Sequence, residues 1–322
     1  MVAAVAEATI SETRRELTLI CMQGATTMRY GKLPLGLMFL GLAACKDESG
    51  VTDLGPPDPA ASVRFVNAVP DTGTVDLRFV DRVENLPGLQ GVALQATSGF
   101  YQRAEPGARH ARIFPNSENV VVTQFMLVDT TITLAADTRY TLVYTGRATG
   151  NQDRLAVLQD EPLASVPTPA ASNIAVRILN AAYGAAGPLG NVDVYLVAVA
   201  SATATEPADW QTNNAGVVRN VGFLSKSAYS NVAVRPTTTG ALYRFVVTPA
   251  GSSTILYAAT PNQPGVQQVA GATYGPQPGM QVSGSVLTAV LVGGSIPGTK
   301  ESASANQKGA VAVFIDKVLN PS

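Results

Sequence analysis

Val63-Arg64-Phe65-Val66-Asn67-Ala68 returns 113 residues later as Val176-Arg177-Ile178-Leu179-Asn180-Ala181. Val75-Asp76-Leu77 returns 117 residues later as Val192-Asp193-Val194, so the second copy carries a loop four residues longer. Further on, Tyr140-Thr141-Leu142-Val143-Tyr144-Thr145-Gly146 matches Leu287-Thr288-Ala289-Val290-Leu291-Val292-Gly293 in pattern. Each is followed by a hydrophilic hairpin and a short strand ending near Asp160 or Asp316. Self-similarity of this kind means one structural unit used twice. It predicts a β-sandwich domain over 62–163 and a second over 174–319. Between them, the linker 164–173 contains Val166-Pro167-Thr168-Pro169, whose prolines restrict the chain.

Within each copy the apolar runs are short, β-branched and bounded by turn residues. They predict strands at 62–68, 74–80, 108–114, 119–128, 138–145 and 154–159 in the first copy. In the second copy strands are expected at 174–181, 191–199, 229–235, 242–248, 254–259, 286–292 and 310–315. No window after residue 61 keeps a 3.6-residue apolar period for three turns, so helices are not the main elements. The expected class is all-β, two tandem sandwiches with Greek-key-like connections. Cores should form from alternating positions, Val63 and Phe65 or their neighbours on the other face, with Phe125, Leu127, Leu142 and Tyr144 in one copy, mirrored by Val176, Ile178, Val194 and Leu196 in the other.

Composition agrees. Charged residues are 14% of the 322, about half the usual quarter, while hydrophobic residues reach 46%, too many for a disordered chain. The 29 Gly and 21 Pro supply frequent turns.

Ahead of the first copy, Met28-Arg29-Tyr30-Gly31-Lys32 precedes an apolar run from Leu33 to Ala44 and then Cys45. As a helix that run would span about 18 Å, against about 30 Å of membrane hydrocarbon, so it fits a signal-peptide core better than an anchor. Leu42-Ala43-Ala44-Cys45 resembles the lipobox of bacterial lipoproteins. The resemblance implies cleavage between Ala44 and Cys45 and acylation of Cys45. Residues 1–44 are thus the leader. Residues 1–27, with Arg14, Arg15 and three glutamates, lie ahead of its basic start, which points to translation from Met28 or Met22. Residues 45–61, with Pro56, Pro57 and Pro59, read as a tether between lipid and fold. Cys45-Lys46-Asp47-Glu48 is either a solvated charge cluster or, as it resembles, a signal sending lipoproteins to the outer face of the outer membrane.

At the head of the first copy, Asn67-Ala68-Val69-Pro70-Asp71-Thr72-Gly73-Thr74-Val75-Asp76-Leu77 resembles the opening signature of the bacterial domain of unknown function 4397. That resemblance implies an envelope or secreted protein carrying tandem immunoglobulin-like sandwiches, and covers nearly all of 62–319. Family members commonly have His where this chain has Asn67 and Asn180, and the second copy replaces the Pro-Asp step by Ala182-Tyr183 and a glycine-rich loop. The resemblance implies architecture more than chemistry.

The residue inventory restricts that chemistry further. Cys21 lies in the leader and Cys45 at the lipidation site, so the mature chain has no other thiol. One histidine, His110, cannot supply the usual zinc ligand sets, and no cofactor or metal is expected. As a strand residue His110 shares a face with Arg112. Gly293-Gly294-Ser295-Ile296-Pro297 lacks the last glycine of a nucleophile elbow and reads as a hairpin. Asp71, Asp76, Asp81 and Glu84 lie close enough in sequence for a carboxylate pair. Only the Val-Asp step repeats, at Asp193, which favours Asp76 and Asp193 as acceptors of backbone hydrogen bonds. Asp71 to Asp76 also has the look of a calcium turn, but the second copy offers no first acid. Trp210 sits in Ala202–Asn214, a hydrophilic segment without counterpart in the first copy. Its indole is either an exposed anchor for a sugar or partner, or a lid on the sandwich end.

After removal of the leader 18 cations face 20 anions, so no strong field draws nucleic acid. The expected protein is non-enzymatic, held to the cell envelope and its outer membrane through Cys45, and presents sandwich loops to an envelope protein or a glycan. A carbohydrate- or peptidoglycan-active enzyme using aspartates, and a purely structural spacer, are the alternatives.

Overall fold

The computed structural model describes residues 58–234, 242–261, 265–266, 275–300 and 306–317. The leader, the lipobox with Ala44 and Cys45, and most of the tether lie outside the described residues. Contacts group Asp58–Ser322 as one compact unit.

Strands β1 (Ala61–Asn67), β2 (Val75–Phe79), β3 (Gln102–Ala104), β4 (Gly107–Pro115), β5 (Val128–Leu134), β6 (Arg139–Thr145) and β7 (Arg154–Gln159) build the first half. The second half has β8 (Asn173–Asn180), the two-residue pair β9 (Tyr183–Gly184) and β10 (Gly187–Pro188), and β11 (Val192–Val199). It continues through β12 (Gly216–Val221), β13 (Ser230–Ala233), β14 (Leu242–Pro249), β15 (Tyr257–Ala259), β16 (Val286–Val292) and β17 (Ala310–Lys317). The sheets run β2-β4-β5 and β3-β1-β6-β7 in one half, β13-β8-β16-β17 and β12-β11-β14-β15 in the other. Strand β1 pairs in parallel with β6, and β8 in parallel with β16, so the repeated sequence adopts a repeated pairing.

Alternation along the strands assigns each face. In β1, Val63 and Phe65 enter a core shared with Leu77, Ile113, Leu134 and Leu142, which fills the space between the first two sheets. In β8, Val176 and Ile178 enter the matching core with Val194, Leu196, Phe245 and Leu287. The intervening residues do not face water. Val66, Val143, Leu179, Val290, Val292 and Phe314 form a third cluster that joins β3-β1-β6-β7 to β13-β8-β16-β17. Both middle sheets are therefore covered on both faces, which explains their nearly unbroken apolar runs, since alternation with polar residues is needed only where a face meets solvent.

Two expectations need correction. The run 119–128 is not a strand. Asn119 Oδ1 accepts from Val121 N at 2.9 Å, and its carbonyl accepts from Thr123 N at 3.1 Å, which starts a short helix over Val120–Thr123. A side-chain cap has overridden β-branched propensity, and Phe125 is 64% exposed rather than in the core. The strand comes later, at Val128–Leu134, where Ile132 and Leu134 point inward between threonines. Strand β12, over Gly216–Val221, was also not expected from the sequence; its burial is irregular and only Val218 and Val221 are buried.

Candidate binding cleft and the seam beneath it

Arg64 and Arg177, the charged residues of the repeated hexapeptide, are 0% and 1% exposed. They lie in the seam between the two middle sheets. Arg64 Nε donates to Thr141 Oγ1 at 2.8 Å, and Arg64 Nη1 reaches Asp316 Oδ1 of the other half at 2.7 Å. Arg177 mirrors it: Nε donates to Thr288 Oγ1 at 2.7 Å and Nη2 to Asp160 Oδ1 at 3.1 Å. Each threonine passes its own proton to the aspartate of its own half, Thr141 to Asp160 and Thr288 to Asp316, both at 2.6 Å. Each arginine thus reads a threonine at home and an aspartate across the seam. The rings of Tyr101 and Phe314 lie 4.4 and 4.2 Å from the Arg64 guanidinium carbon, and that of Tyr229 4.8 Å from Arg177.

Burial pushes the Asp160 carboxyl up, but Arg64, Lys226 and Thr141 outweigh it and hold the group below the ordinary carboxylate range. Burial also works against the charge on Arg177, and Asp316, Tyr229, Asp160 and Glu161 outweigh it, keeping the guanidinium charged. At the rim Lys226 Nζ donates to Asp160 at 2.8 Å, and Arg177 pairs with Glu161. This network is closed upon itself and joins the halves.

Above the seam the loops differ. In the first half both oxygens of Asp71 accept backbone hydrogen bonds, from Ala148 N and Thr149 N, each at 2.9 Å. The hairpin after β6 is stapled flat. The second half has Tyr183-Gly184 where the first has Pro70-Asp71, with no acid, and there the loops part around a cleft of about 590 Å³. Glycines let the backbone segments cross at its floor: a Cβ on Gly293 would lie 2.0 Å from the Tyr183 carbonyl oxygen, and one on Gly294 2.1 Å from that of Gln307.

The walls combine apolar surface from Ile255, Leu256, Ile296 and Pro297 with polar groups. Arg244 on β14 donates through Nε to Glu206 Oε2 at 2.9 Å, with both side chains about one-fifth exposed. Ser295 is 4% exposed, and among the described residues its hydroxyl and that of Tyr257 have no hydrogen-bond partner. Burial alone pushes the Tyr257 hydroxyl above its ordinary range. Both hydroxyl oxygens are themselves buried, as are the unpartnered ones of Thr145, Tyr229, Thr248 and Thr260, so they do not single out the cleft; the partly exposed polar groups of its wall are Glu206 and Arg244.

Trp210 is 7% exposed and packs edge-on against Tyr195, ring centroids 4.8 Å apart, in a cluster with Val197 and Val246. Its indole faces protein, not solvent. The segment 202–214 nevertheless reaches the cleft through Glu206, which no motif in the sequence distinguished. The candidate aspartates of the first half are engaged elsewhere. Asp76 accepts from Gly91 N at 2.8 Å, from Asn116 at 2.9 Å and from Arg78 at 2.6 Å; its repeat partner Asp193 accepts from Asn220 N at 2.8 Å and Gly251 N at 3.0 Å. Asp81 and Glu84 both neutralise the buried Arg109, at 2.9 and 2.7 Å. His110 pairs with Asp129 on the solvent face, and Arg112 stands 3.3 Å from the same carboxylate. Ala111 and Ile113 point into the core. Asn67 and Asn180 are matching clamps: each donates through Nδ2 to two carbonyls, of Gly73 and Val92 or of Gly190 and Val221, all at 3.1 Å.

Residues 61–195 match the model of a domain of unknown function, DUF4397, which runs from β1 through the first half into β11. Among solved structures, one reported for alpha-glucan recognition by family 41 carbohydrate-binding modules from streptococcal virulence factors shares 13% identity. The alignment covers 62% of this chain and 88% of that one, with a TM-score of 0.19. A candidate adhesin from Bacteroides ovatus shares 9% identity over 72% of this chain and 89% of its own, TM-score 0.19. A candidate cell adhesion protein from Bacteroides uniformis shares 11% over 80% and 99%, TM-score 0.19. Superpositions this loose carry no functional argument. No curated protein is matched.

Proposed function

We propose that this is a non-enzymatic cell-envelope protein, anchored by an acyl chain on Cys45, whose β-sandwich loops bind a glycan or another envelope macromolecule. In this reading 62–163 and 174–319 are two immunoglobulin-like copies of one domain fused back to back, the first serving as base and the second as the binding copy. The observation that carries it is the cleft of about 590 Å³, within the usual range of about 300–1,000 Å³ for ligand sites, with the partly exposed Glu206 and Arg244 on its wall. The acids that would serve a hydrolase are spent on backbone donors and arginines instead. The leader supports the anchor, and its Cys45-Lys46-Asp47-Glu48 start supports display at the outer membrane surface.

Cosedimentation of the purified protein with isolated envelope fragments tests the binding role. Retention without release of sugar or peptide is expected, and a protein that stays in the supernatant or degrades the fragments refutes the reading. The anchor is tested separately by intact mass of membrane-extracted protein. A mature chain beginning at an acylated Cys45 is expected; an unmodified chain beginning earlier removes that part.

A further inference from the structure

The cleft carries a narrower assignment, which rests on the binding role just proposed. Glu206 only accepts hydrogen bonds and Arg244 only donates them. Held side by side at 2.9 Å and still about one-fifth exposed, they offer an acceptor and spare donors a single hydroxyl spacing apart. An anion entering alone would meet the Glu206 carboxylate, and a cation the Arg244 guanidinium. Adjacent hydroxyls, each of which both donates and accepts, satisfy the pair without either conflict. Ile255, Leu256, Ile296 and Pro297 provide apolar wall for the carbon face of a ring.

The walls are held from the other half. Gln95 has a positive φ of 65°. Its Nε2 donates to the carbonyls of Gly293 at 3.0 Å, Asn306 at 3.2 Å and Lys308 at 2.7 Å. One side chain of the first half thus ties together two of the backbone segments that line the cleft, 293–297 and 307–309. The corresponding residue of the second half is Leu224: Leu224 N bonds the Asn180 carbonyl as Gln95 N bonds that of Asn67. Leu224 adopts φ 55° and packs against the apolar seam. We infer that the cleft is a saccharide site, reading ring hydroxyls through Glu206 and Arg244, and that Gln95 is its positioning residue.

Isothermal titration of the full mature protein with neutral glucan oligomers and, separately, uronic-acid oligomers tests this. Binding of at least one class is expected, with the second arm showing whether the exposed Lys308 at the rim adds preference for acidic sugars. Glu206→Gln should weaken binding tenfold or more. Gln95→Leu installs a residue that Leu224 shows to be compatible with this backbone, so it should lower the denaturation midpoint only by what the lost carbonyl bonds contribute, speed amide exchange in 293–297 and 306–309, and weaken binding by a similar factor. No heat with either class while envelope fragments still retain the protein overturns the saccharide assignment and leaves the binding role standing; loss of retention as well overturns both. Sugar binding indifferent to Glu206→Gln places the site elsewhere, and binding indifferent to Gln95→Leu removes the positioning role.

Discussion

The two halves share one buried arginine–threonine–aspartate arrangement where they face each other and part company in the loops around it. Arg64 answers to Arg177, Thr141 to Thr288 and Asp160 to Asp316, and the distances within each set match to a few tenths of an ångström. One loop away, Asp71 staples the first half's hairpin, whereas the second half lacks that acid and opens a cleft. The difference teaches where two halves with repeated sequence are free to differ. A buried arginine must find its aspartate or leave a charge in low dielectric, so the seam tolerates little alteration in either copy. A solvent-facing loop has only its own few hydrogen bonds to satisfy, so it is free to differ between the halves.

The strongest way to break the comparison is to cut the seam. Arg64→Ala leaves Asp316 without its 2.7 Å partner, and Asp316→Ala leaves Arg64 in the same position, both fully buried. Removing one member of a buried ion pair costs about 3–5 kcal/mol. Urea unfolding should show losses of this order for each variant, and Arg177→Ala should match Arg64→Ala. The two single losses should not add in the double variant, because the second substitution removes the charge stranded by the first. A loss under about 1 kcal/mol would show that the halves are joined by the apolar cluster alone.

Next in size is Trp210→Ala. The edge-on contact with Tyr195 and 7% exposure make this a packing residue, so the expected loss is about 3 kcal/mol, read from the thermal midpoint. Retention on envelope fragments should fall only as far as Glu206 is displaced. An unchanged midpoint with lost retention would return the indole to the role of an exposed anchor.

Much of this was legible in the sequence, for a physical reason. Val63 and Phe65 alternate with Arg64 and Val66 in a short β-branched run bounded by turn residues, which reads as a strand; that both of its faces are covered emerges only from the packing. The strand 286–292 was readable to the residue because its apolar run ends at Gly293, where a Cβ cannot fit. What the run could not disclose was the partner of each arginine: Asp316 is 252 residues from Arg64, and no local spacing encodes that. Phe125 misled because side-chain propensity was weighed without the Asn119 cap. The cleft was hidden more deeply, since Glu206 and Arg244 belong to no motif and meet only because Trp210, four residues on from Glu206, pins its segment to the outer face of β11.

A smaller effect sharpens the agreement between copies. Asn67→Ala and Asn180→Ala each strip two carbonyls and one N–H of their partner, the N–H being that of Val69 or Ala182. Leaving buried backbone groups unpaired costs about 1–3 kcal/mol, and the two variants should agree within about 0.5 kcal/mol by urea midpoint. Unequal losses would show that the repeat is one of sequence more than of energetics.

The smallest expected effect is in acid. Asp160 is held below the ordinary carboxylate range when folded and returns to about 3.9 when unfolded. A group whose folded value is depressed contributes stability that is fully present above its unfolded value and is lost as pH falls toward the folded one. The urea midpoint should therefore be nearly level from pH 7 to pH 5 and decline below about pH 4. Asp160→Asn removes that titration: the variant starts less stable at pH 7, because Arg177 and Lys226 lose their carboxylate, and its acid decline should be shallower. The gap between wild type and variant should narrow steadily below pH 4. Glu161, also depressed but 43% exposed at the rim, should alter the slope less, since solvent screens it. A gap that stays constant down to pH 3 would mean that Asp160 does not titrate in this range, and that its charge is not what the two arginines of the seam are reading.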